Sequence, residues 1–441
     1  MTNGLNQNAT EGISAIPGRI DLPRRTDWGW MLLGLLLIVV LAMGLRYGTD
    51  LLEMPYVYDE RLMKVPVDDI VERGWSRETM LDYQEVKGPT FYWLYALSAN
   101  VIGSAMNDLR LFSSFCFILS SWPLLLIARR TGVHGPRLIL VAALYGLLPY
   151  HAVIGQMFMS EPSFTLIAMW MMWAFIWGFG ESRAEERRLW GPVLVGILLF
   201  LLLHHRPHAV AFAGAVALVS FERDGWRSWP WWLACFLAGL GRLPLWWYWG
   251  GLVTSEYQDL FTLGFRLESQ TYLLAGLLPV IGIFGIVILR EKPERIRNWL
   301  LPLTGAGIGL LLALFFMPDL DGRVPYYLPS EGKLGEQAEY GGVVRTFVLL
   351  VTSHTLVQQL ILTVFATLGG WSVGAMLLRA WGTSVYTTRG DALRLACWTL
   401  AVGVPLYIIA AGPVYDRYLM VWMILLPIAW IVALPRWAQL V

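Results

Sequence analysis

Asp59 and Glu60 stand side by side just after the first long apolar stretch of this 441-residue chain, and Lys87, in a Lys-Gly-Pro, closes the polar interval that follows them. Tyr92 lies in the aromatic run Phe91-Tyr-Trp-Leu-Tyr directly after it. Glu161 follows in Met-Ser-Glu-Pro-Ser, His205 and Arg206 in His204-His-Arg-Pro-His, then Arg242, Arg266, His354 and the run Asp416-Arg417-Tyr418. Ionisable residues near or within apolar segments are costly and are functional candidates by default. Acids and cations that meet at one level suit a reaction in which one group takes a proton and several hold an anion.

Each of these residues also has a structural reading. Asp59 can cap a helix N-terminus. Glu161, just before Pro162, can begin a helix at its positive end. Arg417 can snorkel to an interface. His204, His205 and His208 offer a zinc-like cluster, but a Pro-broken turn with no adjacent acid lacks a settled ligand geometry, so interfacial histidines are the expectation and no metal ligands are assigned.

The elements that must position these groups are membrane helices. Hydrophobic residues make up 56% of the chain and charged residues only 15%, with 23 tryptophans, which excludes an ordinary soluble domain. Cys116, Cys235 and Cys397 lie far apart in apolar segments and offer neither a disulfide framework nor ligand spacing. The first span covers about residues 28–45 and, with no small-residue cleavage site after it, reads as an uncleaved anchor. Further apolar stretches recur at about 108–128, 137–154, 161–179, 190–204, 207–221, 229–249, 272–289, 299–317, 355–378, 393–411 and 418–434, giving about twelve spans.

The expected architecture is an all-α polytopic membrane protein: residues 1–27 as a cytoplasmic tail and 28–441 as one transmembrane domain. Residues 46–107 form a large first non-cytoplasmic loop containing amphipathic helices. Basic clusters at Arg129/Arg130/Arg137, Arg183/Arg187/Arg188, Arg223/Arg227, Arg290–Arg297, Arg379–Arg394 and Arg436 fall on the predicted side of both termini, which the positive-inside rule makes cytoplasmic. The acids and cations named above then share the opposite face.

Asp59-Glu60 after the first span, Lys87-Gly-Pro-Thr-Phe-Tyr-Trp-Leu, Leu109-Arg110-Leu-Phe-Ser, Glu161 at the start of a later span and Asp416-Arg417-Tyr418 before the last one together resemble the GT-C superfamily of integral-membrane glycosyltransferases. Pro55-Tyr56, Gly88-Pro89 and Phe91-Tyr92 are loosely similar to the family that transfers glucose from dolichyl phosphate glucose in α-1,2 linkage, although Pro-Tyr and Asp-Glu stand one residue closer together there.

The resemblance implies a GT-C-type fold, a polyprenyl-phosphate sugar donor, a glycan or lipid acceptor, and an inverting transfer of a hexose on the non-cytoplasmic face. Asp59 would be the base, with Glu60 orienting acceptor or loop. A hydroxyl with a pKa far above 7 needs such a carboxylate as it attacks, and the departing phosphate needs fixed positive charge, which the arginine fork supplies best. Arg206 and Arg417 are the first choices, with Lys87, His205 and His354 as secondary donors. Asp416 and Tyr92 complete the substrate-binding set, and Glu161 would touch the acceptor or, as in some members, a divalent cation.

Membrane lipids are expected partners and nucleic acid is not; the expected location is a bacterial inner membrane with a periplasmic site. The competing readings are a twelve-span secondary transporter, which would bury charges at mid-membrane between paired broken helices, and a lipid-linked glycan flippase or polymerase.

Overall fold

The structure, a computed structural model, describes residues 25–48, 58–83, 87–179, 185–251, 253–254, 264–265, 267–291, 297–317, 347–348, 351–382, 388–410 and 419–433. Apart from an antiparallel pairing of β1 (Gly264–Phe265) with β2 (Ile409–Ala410), these residues are organised by helices. Among them α1 (Arg25–Gly48), α5 (Met106–Arg130), α8 (Ser160–Phe179), α13 (Leu267–Glu291) and α15 (Thr355–Gly382) contain apolar windows long enough to cross a bilayer. Leucines and valines such as Leu32, Leu36 and Val40 point outward from α1. Apolar side chains on the outside of an already filled core belong in lipid, so the chain is an integral membrane protein.

Three stretches expected as single spans are each two helices. Residues 137–154 form α6 (Arg137–Leu147) and α7 (Pro149–Ile154), because Leu148 ahead of Pro149 is driven to an extended conformation, ψ 125°. Residues 229–249 form α11 (Trp229–Leu240) and α12 (Leu243–Trp249), with Pro244 in the first turn of the second. Leu419–Trp422 and Leu426–Ala433, α17 and α18, meet just before Pro427. The remaining stretches expected to span form α9 (Glu185–His205), α10 (Val210–Asp224), α14 (Arg297–Phe315) and α16 (Thr388–Leu406).

The first loop carries α2 (Tyr58–Arg73), α3 (Arg77–Leu81) and α4 (Pro89–Ile102). α2 packs on α4, and α4 packs in turn on α5, α8 and α9. Phe91, Tyr92 and Tyr95 turn inward and are wholly buried, while Leu97 and Val101 remain exposed. The loop is thereby fastened to the ends of three long helices, a rigid base for a site. On the other flank, α14 and α15 touch backbone to backbone: a Cβ on Gly305 would lie 2.1 Å from the Gly370 carbonyl oxygen. Lipid gives no hydrophobic drive for helix pairing, so close approach through small residues supplies the packing.

Charges collect at two separate ends of the bundle. One end holds Asp27 with His134 at 2.9 Å, Arg129 against the same carboxylate at 3.9 Å, Arg130 donating to the Trp177 carbonyl, and Asp391 paired with Arg223 and Arg394. The other holds Glu60, Arg110, Arg206 and Arg242.

Candidate functional site

Asp59 and Glu60 occupy the first turn of α2. Glu60 is fully buried, and its carboxylate accepts from Arg110 Nε at 2.8 Å, Arg110 Nη2 at 2.6 Å and the Phe158 backbone N–H at 2.9 Å. A bidentate guanidinium plus an amide is the arrangement that lets a buried carboxylate stay charged. It ties α2 to α5 and to the turn ahead of α8 at one point. Glu60 thus holds the loop, and the half-buried Asp59 beside it inherits a fixed position. Arg46 reinforces the same corner, reaching Ser114 Oγ at 3.1 Å and the Asn107 carbonyl at 3.0 Å, so the end of α1 is pinned to the start of α5.

Replacing Glu60 by Gln keeps an acceptor for Phe158 and leaves Arg110 without its counter-charge. Charged hydrogen bonds of this kind contribute about 1.5–3 kcal/mol. Glu60→Gln should lower stability by about that amount in a detergent melt, and Arg110→Met added to it should recover part of the loss, because the orphaned cation is then gone.

The N-terminus of α4 is the second part of the site. Gly88 lies against the end of α9, its N–H donating to the His205 carbonyl at 2.9 Å. A Cβ here would stand 1.9 Å from the His204 carbonyl oxygen, so only glycine permits the approach. The same imagined Cβ would be 3.1 Å from Arg242 Nη1, which sets Arg242, between α11 and α12, directly beside Lys87-Gly88. Tyr83 donates to the Lys87 carbonyl at 2.8 Å and packs tilted against Tyr92, ring centroids 4.4 Å apart.

Arg242 is 1% exposed. It donates from Nη1 to the Leu203 carbonyl at 2.5 Å and lies over the Trp249 ring. Its Nε and Nη2 have no hydrogen-bond partner among the described residues, and no carboxylate among them stands within ion-pair range of it. A buried guanidinium with two unanswered donors is costly unless an anion completes it.

The third part is the end of α9. Arg206, extended between α9 and the Pro207–Ala209 turn, donates from Nη2 to Glu161 Oε1 at 3.1 Å and to Ser160 Oγ. His205 Nε2 meets Ser163 Oγ at 2.8 Å. Glu161, Arg206 and His205, separate in sequence, are therefore neighbours. Arg206 already faces a carboxylate, whereas Arg242 faces none among the described residues, which moves the first choice for holding a phosphate from Arg206 to Arg242. Glu161 accepts from Arg206 at Oε1 and from Ser160 at Oε2, and no group of three metal-ligating side chains occurs among the described residues.

His354 is exposed ahead of α15, which packs on α13 and α14, and makes no contact with this cluster. Tyr92 is wholly buried against Tyr83 and Phe91. Arg266, Asp416 and Arg417 lie outside the described residues. Arg46 escaped the reading by charge clusters because it stands alone. Arg242 carried the clearer signal, a lone arginine in a long Trp-rich apolar run.

Three solved structures align with most of this chain. ArnT from Cupriavidus metallidurans in the apo state shares 14% identity over 91% of this chain and 77% of its own, with a TM-score of 0.42. The same protein bound to undecaprenyl phosphate shares 14% over 93% and 79%, with a TM-score of 0.46. The Archaeoglobus fulgidus oligosaccharyltransferase tethered with an acceptor peptide shares 12% over 90% of this chain and 55% of its own, with a TM-score of 0.36. No family model and no curated protein matches the chain.

Proposed function

We propose that this chain is an inverting membrane glycosyltransferase of the GT-C type that moves a hexose from a polyprenyl-phosphate carrier to a hydroxyl of a glycan or lipid acceptor. The reaction takes place on the non-cytoplasmic face, in a bacterial inner membrane. The acceptor oxygen bonds to the anomeric carbon as the bond from that carbon to the phosphate oxygen breaks. The hydroxyl proton passes to the Asp59 carboxylate, and the electron pair of the broken bond leaves on the phosphate.

Arg242 and Lys87, at the N-terminal end of α4, hold the departing phosphate, where a helix terminus adds its own positive potential. Arg417 serves as a further donor on the strength of its sequence position, and the Asp416 beside it orients it. The Glu161–Arg206–His205 group lies toward the acceptor. One base and a direct displacement give inversion at the sugar carbon.

The observation that carries this reading is Arg242, a buried cation with two donors unanswered among the described residues, beside Lys87-Gly88 at the end of the bundle where Asp59 is held. The test is transfer of radiolabelled sugar by the purified protein from a panel of synthetic polyprenyl-phosphate sugars, with the product's anomeric configuration read by NMR. Turnover of at least one donor with inversion is expected. Retention of configuration, or no transfer or donor hydrolysis across donors and acceptors by folded protein, overturns it.

A further inference from the structure

α3 is five residues long, too short to keep a helical shape by its own hydrogen bonds. Its start is closed locally: Ser76 and Thr79 cap each other, and Thr79 Oγ1 donates to the Gly74 carbonyl at 2.6 Å. Its end is held from α12. Trp249 Nε1 donates to the Leu81 carbonyl at 2.8 Å, and the Tyr248 hydroxyl donates to the Asp82 carboxylate, 2.6 and 2.8 Å from its two oxygens. The Arg77 guanidinium lies over the face of the same tyrosine, 4.3 Å from its ring centroid. Two consecutive residues of α12 thus hold both ends of α3.

The tie continues to the cations. Tyr83, buried next to Asp82, sets its ring edge-on to Trp249, centroids 6.2 Å apart, and its hydroxyl on the Lys87 carbonyl at 2.8 Å. The Arg242 guanidinium lies 5.4 Å from the centroid of that Trp249 ring. Lys87 and Arg242, far apart in sequence, are therefore both referred to one indole. Trp249 is buried, and a large ring in close-packed surroundings has few other positions. The Tyr248–Asp82 contact lies at the surface, where water competes and a hydrogen bond adds little to overall stability.

We infer that Tyr248 and Trp249 are positioning residues for sugar transfer: through Leu81, Asp82 and Tyr83 they fix the spacing between Lys87 and Arg242. The inference rests on the assignment of the departing phosphate to those two cations. Two cations serve one phosphate only when their separation matches it, and a misplacement of about 1 Å can cost about 10²-fold in rate. The charge they answer develops as the bond to the phosphate breaks, so the loss falls on kcat more than on KM. A tie made for stability alone would lower the melting temperature and leave kcat intact.

The test joins hydrogen exchange to kinetics on the full-length protein in detergent. Tyr248→Phe keeps the ring and removes the hydroxyl from Asp82. Exchange at the Met80, Asp82 and Gly88 amides, which donate to the Ser76, Glu78 and His205 carbonyls, should quicken about tenfold. Its kcat should fall about tenfold at nearly unchanged donor KM, with the melting temperature close to wild type. Asp82→Ala should match it, and the double variant should be no slower than either, because both lose the same contact. Asp82→Asn, which keeps an acceptor oxygen, should recover most of the rate. Trp247→Phe, 90% exposed on the same helix, should behave as wild type. Unchanged exchange in Tyr248→Phe, faster exchange with unchanged kcat, or a double variant whose losses multiply overturns the inference. Wild-type protein that transfers no sugar, although Tyr248→Phe still loosens these amides, would overturn the proposed function and leave the tie from α12 to Lys87 standing.

Discussion

Asp59→Asn should abolish sugar transfer while leaving the protein folded. A positioned general base contributes about 10²–10⁴-fold, so turnover should fall by about 10³-fold, with donor binding little changed because the donor is held by other residues. The structural alternative predicts otherwise. Asp59 lies in the first turn of α2, where a carboxylate gains about 0.3–1 kcal/mol from the helix dipole, and as a cap Asn would serve almost as well. A role confined to the helix start would therefore leave kcat near wild type with a small drop in melting temperature. Measuring kcat and melting temperature on one preparation separates the two. If wild type and Asp59→Asn turn over equally, the base is elsewhere, and Glu161 is the next carboxylate to test, since Glu60 already accepts from Arg110 and Phe158.

How much of this was legible in the sequence depends on whether a signal is local. The apolar runs foretold the long helices, and the segregation of arginines foretold that charge would gather at separate ends of the bundle. His204 to Pro207 read correctly as a junction of two helices. The breaks at Pro149 and Gly241 were less visible, because each prolongs an apolar run whose composition alone supports one span. What composition could not show is pairing across distance. Arg110 finds Glu60 and Arg206 finds Glu161 only once helices far apart in sequence are packed. From position, Arg206 looked like a cation awaiting an anion; packing supplies its carboxylate and leaves that description to Arg242. Gly88 and Lys87 gain their meaning from the end of α9, which no window around residue 88 contains.

Arg242→Met should make the protein at least as stable as wild type and much less active, a combination that few other roles for this arginine produce. A structural arginine stabilises by its contacts, and removing it costs stability. Here the contacts on one side are the Leu203 carbonyl and the Trp249 face, while Nε and Nη2 are buried without partners among the described residues. Exchanging an incompletely paired buried charge for an apolar side chain of similar length is often neutral or stabilising by about 1–4 kcal/mol. If the guanidinium waits for the departing phosphate, the same exchange removes a preorganised donor from the charge that develops in the transition state, a loss of about 10²–10³-fold. Arg242→Lys restores the charge without the fork and should recover only part of that loss. A thermal melt combined with donor kinetics reads both quantities. Lower stability with unchanged kcat/KM would assign Arg242 to packing, and the phosphate would then have to be held by Lys87 and Arg417.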